Sequence, residues 1–485
     1  MKPIRVLLLV LALSASFGSS AFPSQVLIGL RGGPLSPEAA RAAVGEELSA
    51  VSGRIEYEYK FIDVLLAEVP EGSLARLASS PYVRFIERDS EVAAPQPLGE
   101  ESLKLSFEWL PWGVDRIDAE VVHHPPRELL ALHNIQSAVE PPLPLGERRE
   151  VRGTVAITPI PTVPPQGGRR RDGGPLLLML LLFLLLGLIR RDHLRSLLLV
   201  SLALSILTIL LTGCDLINIR VHPGTQGPEG EGVRVALLDS GIDPDHLDLK
   251  ANYRGGYDFV NNDPLPWDDN GHGTEVAGVL AARENGVGLI GVAPRAELFA
   301  VKVLGQDARG AISDVAKGLE WAIEHGIRVV NMSLGTPEDS QVLREAVRAA
   351  WEAGLVLIAP AGNESGRVLY PAAYSEVIAV AATDKDDKLA WFSNTGPQVE
   401  LAAPGEEIPT TYPGNRYRLA SGTSFAAPHV AGVAALLISS GVEENSEVRA
   451  RLDETAEVLP LPQDEEGFGL VDAAHAVLGT AIGDN

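Results

Sequence analysis

The chain has 485 residues, 46% hydrophobic and 21% charged, which excludes a wholly disordered or collagen-like protein and leaves apolar material for a large core in up to about three domains. Lys and Arg total 40 against 64 Asp and Glu, and the resulting net charge of −24 argues against nucleic acid as a partner. The single cysteine, Cys214, excludes an internal disulfide.

The chain opens with Met1-Lys2-Pro3-Ile4-Arg5, continues apolar from Val6 to Leu13 and reaches the small residues Ser19, Ser20 and Ala21. A basic start, a short apolar run and a small-residue end predict a secretory signal peptide over residues 1–21, cut after Ala21. A membrane anchor is the alternative, but the apolar run is short for a span. The chain beyond Ala21 is then expected outside the cytoplasm.

Residues 25–94 read as a small α+β unit. Gln25–Leu30 is strand-like, and Ser36-Pro37-Glu38 marks a helix start, with a cap, a first-position proline and an acid in the first turn. Arg54–Lys60 and Val64–Val69 predict two strands, Glu71–Ala78 a helix and Val83–Ile86 a last strand. The order β-α-β-β-α-β is that of a ferredoxin-like split βαβ sandwich. Residues 95–123, carrying Pro111-Trp112-Gly113-Val114-Asp115-Arg116-Ile117, form an arm leading from this unit toward the larger C-terminal domain.

The composition then changes. Ten prolines lie between Pro125 and Pro175, with Arg169-Arg170-Arg171 near the end, as in an extended linker. Two uncharged apolar runs come next, 175–189 and 197–213, separated by Arg190-Arg191-Asp192-His193-Leu194-Arg195. Neither has a polar face, so each is a helix for lipid or for a protein interior. Residues 175–213 are expected to form a transmembrane helical hairpin with its Arg-rich turn cytoplasmic, although Arg169–Arg171 favours the opposite orientation; a buried core hairpin is the alternative. The second run ends Leu211-Thr212-Gly213-Cys214, which resembles a bacterial lipoprotein box and makes Cys214 a candidate for lipidation; a small residue at a helix end is the plainer reading. A Val-His pair at Val122-His123 and again at Val221-His222 suggests that residues 124–220 interrupt one domain at an exposed point.

From Val233 on, short apolar runs alternate with helical patterns. Val233–Leu238, Leu298–Val303, Ile327–Met332, Leu355–Ala359 and Val377–Ala381 predict buried parallel strands, and Thr274–Arg283, Ser313–His325 and Ser340–Ala353 the helices between them. The fold class is therefore α/β, a doubly wound parallel sheet over residues 221–479, with active residues expected beyond the carboxyl ends of strands. Three places fit. Val235-Ala236-Leu237-Leu238-Asp239-Ser240-Gly241 puts an acid at a strand end. Asn270-Gly271-His272-Gly273-Thr274 puts a histidine between glycines at a helix start. Ser421-Gly422-Thr423-Ser424-Phe425 puts a serine at the start of an apolar helix. Taken singly, these are a turn acid, a solvated histidine and an N-cap.

Taken together, in the chain order Asp…His…Ser, they resemble the subtilisin-like serine protease family. The resemblance covers residues 233 to about 475 and includes Trp112–His123. It extends to Tyr57-Glu58-Tyr59-Lys60-Phe61-Ile62 and Val83-Arg84-Phe85-Ile86-Glu87-Arg88-Asp89, which resemble the inhibitor propeptides of that family. It implies a serine endopeptidase in which Ser424 is the nucleophile, His272 its base, Asp239 the orienting acid and Asn363 a side-chain donor to the oxyanion. It also implies a zymogen whose residues around Asp89–Ala94 occupy the cleft until self-cleavage between about Ala94 and Phe107.

The same resemblance assigns Ser333-Leu334-Gly335 to the strand that pairs with an extended substrate, and Ala359, Pro360, Ala361 and Gly362 to the opposite wall of the primary pocket. Pro360 departs from the family pattern and removes an N–H. Leu369, before Tyr370-Pro371, narrows the pocket base, so small or medium apolar side chains are the expected preference. A structural Ca2+ is implied at Asp248 with Arg283, Asn285, Val287 and Leu289, Glu108 adding a carboxylate; a surface loop with a solvated acid is the alternative. No catalytic cofactor is implied. Protein substrates, the chain's own propeptide and a membrane at residues 175–213 are the expected partners. Asp243, Asp245, His246, His325 and His429 are read as structural. The competing readings are a catalytically inactive, membrane-anchored peptide binder and a module whose business lies in residues 124–220.

Overall fold

The structure, a computed structural model, describes residues 23–31, 36–95, 98–103, 110–117 and 227–479. The expected signal peptide, the Pro-rich stretch, both apolar runs, Cys214 and Glu108 lie outside the described residues. Among the described residues no helix is long and apolar enough to cross a membrane, so the fold lends no support to the expected transmembrane hairpin.

Residues 23–88 build a four-stranded antiparallel sheet backed by helices. Strand β1 (Pro23–Leu30) is followed by helix α1 (Pro37–Ala50), β2 (Arg54–Glu58), β3 (Val64–Pro70), α2 (Leu74–Ala78) and β4 (Val83–Arg88), in the sheet order β2-β3-β1-β4. Helix α1 starts where Ser36 caps it: the Ser36 hydroxyl accepts from the Ala39 N–H at 3.3 Å, and Pro37 loses no hydrogen bond at the first position. Val26, Ile28, Val44, Leu48 and Leu65 close a small core of their own.

Two short strands come next, the first at the end of the expected 25–94 unit and the second where the sequence suggests only an arm. They are β5 (Glu91–Ala93) and β6 (Leu98–Leu103), and neither joins the first sheet. A short helix, α3 (Trp112–Arg116), lies beyond them in the chain.

The larger body is a seven-stranded parallel sheet. Its strands are β7 (Arg234–Asp239), β8 (Tyr253–Asp258), β9 (Glu297–Lys302), β11 (Val329–Asn331), β12 (Val356–Pro360), β13 (Ile378–Thr383) and β14 (Val399–Pro404), in the order β14-β13-β12-β11-β7-β9-β8. Strand β10 (Arg309–Ala311) lies outside it and pairs with β5, while β15 (Ile408–Tyr412) and β16 (Arg416–Ser421) form a hairpin that β6 completes. Both faces of the parallel sheet are covered, which is why its strands read as unbroken apolar runs. In β7 the alternation is visible: Val235 and Leu237 face one core, Ala236 and Leu238 the other. The first core is roofed by α4 (His272–Ala281) and α7 (Thr423–Ser439), the second by α5 (Ile312–Glu324) and α6 (Gln341–Glu352). Strand β8 is not predicted from sequence, because Gly255 and Gly256 read as a turn. Gly256 is required by packing: a Cβ there would stand 1.7 Å from the Ala300 carbonyl oxygen.

Candidate active site

Asp239 ends β7 and His272 opens α4. Gly271 makes that opening possible, since its φ of 117° carries the chain into the helix through a conformation that side-chain-bearing residues rarely adopt. The Asp239 Oδ1 lies 2.8 Å from the His272 Nδ1, with side-chain exposures of 1% and 2%. The Ser240 N–H donates to the same carboxylate oxygen at 2.7 Å. Burial pulls the His272 imidazole down, but the Asp239 charge and hydrogen bond, with Glu275 and Asp268 beyond, outweigh it and hold the ring above the ordinary histidine value.

Asp268, not singled out in the sequence, organises both segments. Its Oδ1 accepts from the Ser240 hydroxyl at 2.9 Å and from the Gly271 N–H at 2.7 Å. Its Oδ2 accepts from the Thr274 N–H at 2.9 Å and the Thr274 hydroxyl at 2.5 Å. One carboxylate thus ties the end of β7 to the start of α4. Lys302, also unforeseen, is buried beneath them and donates to the Ser240 carbonyl and to Asp269, each at 2.6 Å. The available clue was the acid pair Asp268-Asp269 just ahead of His272; nothing marked Lys302, which reads as an ordinary strand-end lysine.

Ser424 is the second residue of α7 and fully buried. Its backbone is held in an unusual way. Pro428, four residues on, has no N–H to give the Ser424 carbonyl, and the Ser333 hydroxyl donates to that carbonyl instead at 3.0 Å. The Asn331 amide in turn donates to Ser333 Oγ at 2.8 Å. The Ser424 N–H belongs to the first turn, where no intrahelical acceptor exists. The Ser424 hydroxyl and the His272 Nε2 are both buried without a hydrogen-bond partner. The Phe425 ring, next after Ser424, lies 5.7 Å from the imidazole between centroids. The Asp–His contact is therefore closed and the His–Ser contact is not made as a hydrogen bond.

Asn363 follows β12 and its carbonyl end is fixed at the foot of α7: Oδ1 accepts from the Thr423 N–H at 2.9 Å and the Thr423 hydroxyl at 2.7 Å. The amide is thereby fastened to the residue before Ser424. His429 is buried and pushed down to about 4 by burial, and its Nδ1 contacts only the Phe425 carbonyl, so it is a neutral packing residue of α7.

The expected substrate strand is occupied by the protein itself. The Ala93 N–H donates to the Gly335 carbonyl at 3.0 Å, and the Gly335 N–H returns to Ala93 at 2.8 Å. The Ala94 N–H donates to Ala308 at 3.0 Å. Continuing that antiparallel register by two residues brings Pro95 opposite Ser333. Leu334 is buried in the second core alongside Val92 and Ala94. Leu369 lies between the two walls: a Cβ on Gly335 would meet it at 3.0 Å and one on Gly362 at 2.9 Å. Pro360 costs the sheet nothing, because the ladder from β13 continues through the Ala361 N–H to Val380 at 2.8 Å.

The residues of the implied calcium site do gather. The Asp248 carboxylate is fully buried, and the loop wraps it: the Leu289 N–H donates to Oδ2 at 2.9 Å, Asn285 Nδ2 lies 3.4 Å from Oδ1, and the Arg283 N–H takes the Asp248 carbonyl at 2.8 Å. The Val287 N–H donates to Asn285 Oδ1 at 3.1 Å. Burial raises the Asp248 carboxyl. Among the described residues no group of three or more acidic, histidine or cysteine side chains is placed to hold a metal.

Comparison with known proteins points one way. Residues 230–471 match the subtilase family. The chain is 48% identical over 267 residues to the thermostable alkaline protease of Halalkalibacterium halodurans, covering 54% of this chain and 72% of the relative. It is 47% identical over 253 residues to subtilisin BL of Lederbergia lenta, covering 52% of this chain and 93% of that protein. It is 44% identical over 254 residues to alkaline elastase YaB of a Bacillus species, with 52% and 66% covered.

Proposed function

Because the chain belongs to the subtilase family and is a subtilisin-like serine endopeptidase, we propose that Asp239, His272 and Ser424 carry the hydrolysis, acting outside the cytoplasm. The single observation behind this reading is the 2.8 Å Asp239–His272 contact beside the unpartnered Ser424 hydroxyl, with the outer imidazole nitrogen also left unpaired. Catalytic hydrogen bonds are commonly long until the reacting substrate is bound.

In this reading the Ser424 Oγ attacks the peptide carbonyl as His272 Nε2 takes its proton. Asp239 keeps the other ring nitrogen protonated and stabilises the imidazolium. The oxyanion is met by the Ser424 N–H at the head of α7 and by the Asn363 side-chain amide, whose orientation Thr423 secures. His272 then returns the proton to the leaving amine, and water repeats the sequence on the acyl-enzyme. Labelling of Ser424 by a fluorophosphonate probe, and loss of both labelling and peptide hydrolysis in Ser424→Ala, is the expected result. An active chain that the probe does not label overturns it.

Residues 25–94 act as the inhibitor of the same chain. The pairing of Ala93 with Gly335 supports this, as does the way the N-terminal module supplies groups the catalytic body lacks. Helix α5 begins at Ala311, which has no capping side chain; Asp89 Oδ1 accepts from the Ser313 N–H at 2.9 Å and the Ser90 carbonyl from the Ile312 N–H at 2.9 Å. Release then requires a cut after the docked strand. Active material recovered only as uncut chain refutes this.

Calcium fits the Asp248 loop as a structural ion. A buried carboxylate wrapped by one loop matches its hard-oxygen chemistry, with the Asn285 side-chain oxygen and the carbonyls of Arg283, Val287 and Leu289 as the remaining ligands. Chelation with EDTA is expected to lower the melting temperature by several degrees, and an unchanged value leaves the loop without an ion.

A further inference from the structure

The protein's own chain pairs with edges on two sides of Ser424. Before Ser424, β5 pairs antiparallel with β10, and Ala93 with Gly335. After it, β6 pairs antiparallel with β16: Leu98 lies opposite Ser421, Glu101 opposite Leu419, Ser102 opposite Arg418 and Leu103 opposite Tyr417. Ser421 stands three residues before Ser424, and only two residues separate Pro95 from Leu98, at most about 11 Å of chain. Residues 91–95 and 98–103 thus lie along two different edges near the serine.

We propose that the β16 edge is a binding strip for the part of a protein substrate that lies beyond the cleaved bond, holding it as an antiparallel strand through about its eighth residue. This rests on the proteolytic reading of Ser424. The occupant is an extended polypeptide, because that is what lies there now and because a strand edge recognises backbone first. The strip is rigid with respect to the catalytic groups. The Thr411 hydroxyl of β15 donates to the Thr274 carbonyl at 2.7 Å, and Arg418 of β16 donates to the buried Glu275 carboxylate at 2.5 Å, both partners being on the helix that His272 opens. It also carries a side-chain preference. With the bond after Pro95 taken as the one cut, Leu98 is the third residue beyond it and packs against the main core, so an apolar residue is favoured there. The substrate class is accordingly the unfolded or looped segment of a protein, in preference to a short peptide.

The test uses the full chain in its active state and internally quenched peptides with one common sequence before the bond and two, four, six or eight residues after it. From two to eight, kcat/KM is expected to rise at least about tenfold, mostly through KM, since each further ladder hydrogen bond adds a modest net gain. N-methylation along the trailing segment should weaken hydrolysis at alternate residues only, the signature of antiparallel pairing. Replacing an apolar third residue by Asp should lower kcat/KM. Values that are flat beyond two residues, or N-methyl effects without alternation, overturn the proposal while leaving the proteolytic reading intact. If no peptide is cut, that reading fails instead. The strip is then judged by hydrogen exchange in full-chain Ser424→Ala, where protected amides at 98–103 and 416–421 support it and fast exchange overturns it.

Discussion

The groups proposed to react and the segment proposed to inhibit them are held in different ways. Around Asp239 and His272 the contacts are short and largely buried: one carboxylate, Asp268, accepts from both flanking segments, and the Lys302 ammonium lies beneath. The N-terminal module is held by two short ladders, by Tyr59, Ile62 and Leu66 packed into the second core with the Tyr59 hydroxyl donating to the Ser313 carbonyl at 3.0 Å, and by contacts at the rim, where Asp89 meets α5, Glu87 accepts from the Gln341 N–H at 2.9 Å and Arg84 pairs with Glu345. Buried, shared bonds fix the placement of Asp239 against His272, whereas edge pairing and exposed ion pairs are individually weak, so the apolar contact of Tyr59 and its neighbours carries more of the module's hold. In the proposed reading the difference separates catalytic groups from a cover that leaves after a cut.

Substitutions in the machinery should have the largest effects. His272→Ala is expected to lower kcat on the order of 10⁶-fold, the size found when the corresponding group of a subtilisin is removed, with the melting temperature little changed. Asn363→Ala should cost on the order of 10²–10³ in kcat with KM nearly unchanged, again the size known for a subtilisin, because its amide acts on the oxyanion rather than on bound substrate. A KM effect alone would remove Asn363 from that role.

The pH response comes from the raised His272 value. The base must be neutral, so kcat/KM should rise about tenfold per pH unit below the His272 pKa and level off above it, the midpoint lying above the usual ~6.5 of histidine. The stability linkage has the opposite sense. Protonated His272 stabilises the fold fully below its unfolded value, and that contribution is lost as pH rises through the higher folded one. A midpoint below 6.5 in a pH–rate profile would contradict the buried Asp239–His272 pair.

The smallest effect is expected in the cover. Asp89→Ala removes the only side-chain cap from α5 and should weaken inhibition by about fivefold, from ~1 kcal/mol for a lost N-cap, without altering the kcat of the released enzyme. Unchanged inhibition would mean that the ladders and the buried contact of Tyr59 hold the module without this cap.

Much of the site was readable before folding. Asp239, His272, Asn363 and Ser424 each stand at a strand end or a helix start, and such junctions announce themselves through a change of period and a glycine. Asp268 was hidden because its five acceptor contacts serve backbone and hydroxyl donors that carry no motif. Strands β5, β6 and β10 were hidden for a different reason: each is short, and each partner lies hundreds of residues away.

What the chain determined by itself was local: the alternating apolar runs that make a parallel sheet, the serine that caps α1, and the order of an acid, a histidine and a serine. Only the tertiary structure decided which edges meet, that Ser333 takes the carbonyl Pro428 leaves open, and that residues 91–93 and 98–103 pair with edges on two sides of Ser424. The physical reason is that side-chain period and capping act over a few residues, while a strand's hydrogen-bonding edge carries no address until packing brings another edge beside it.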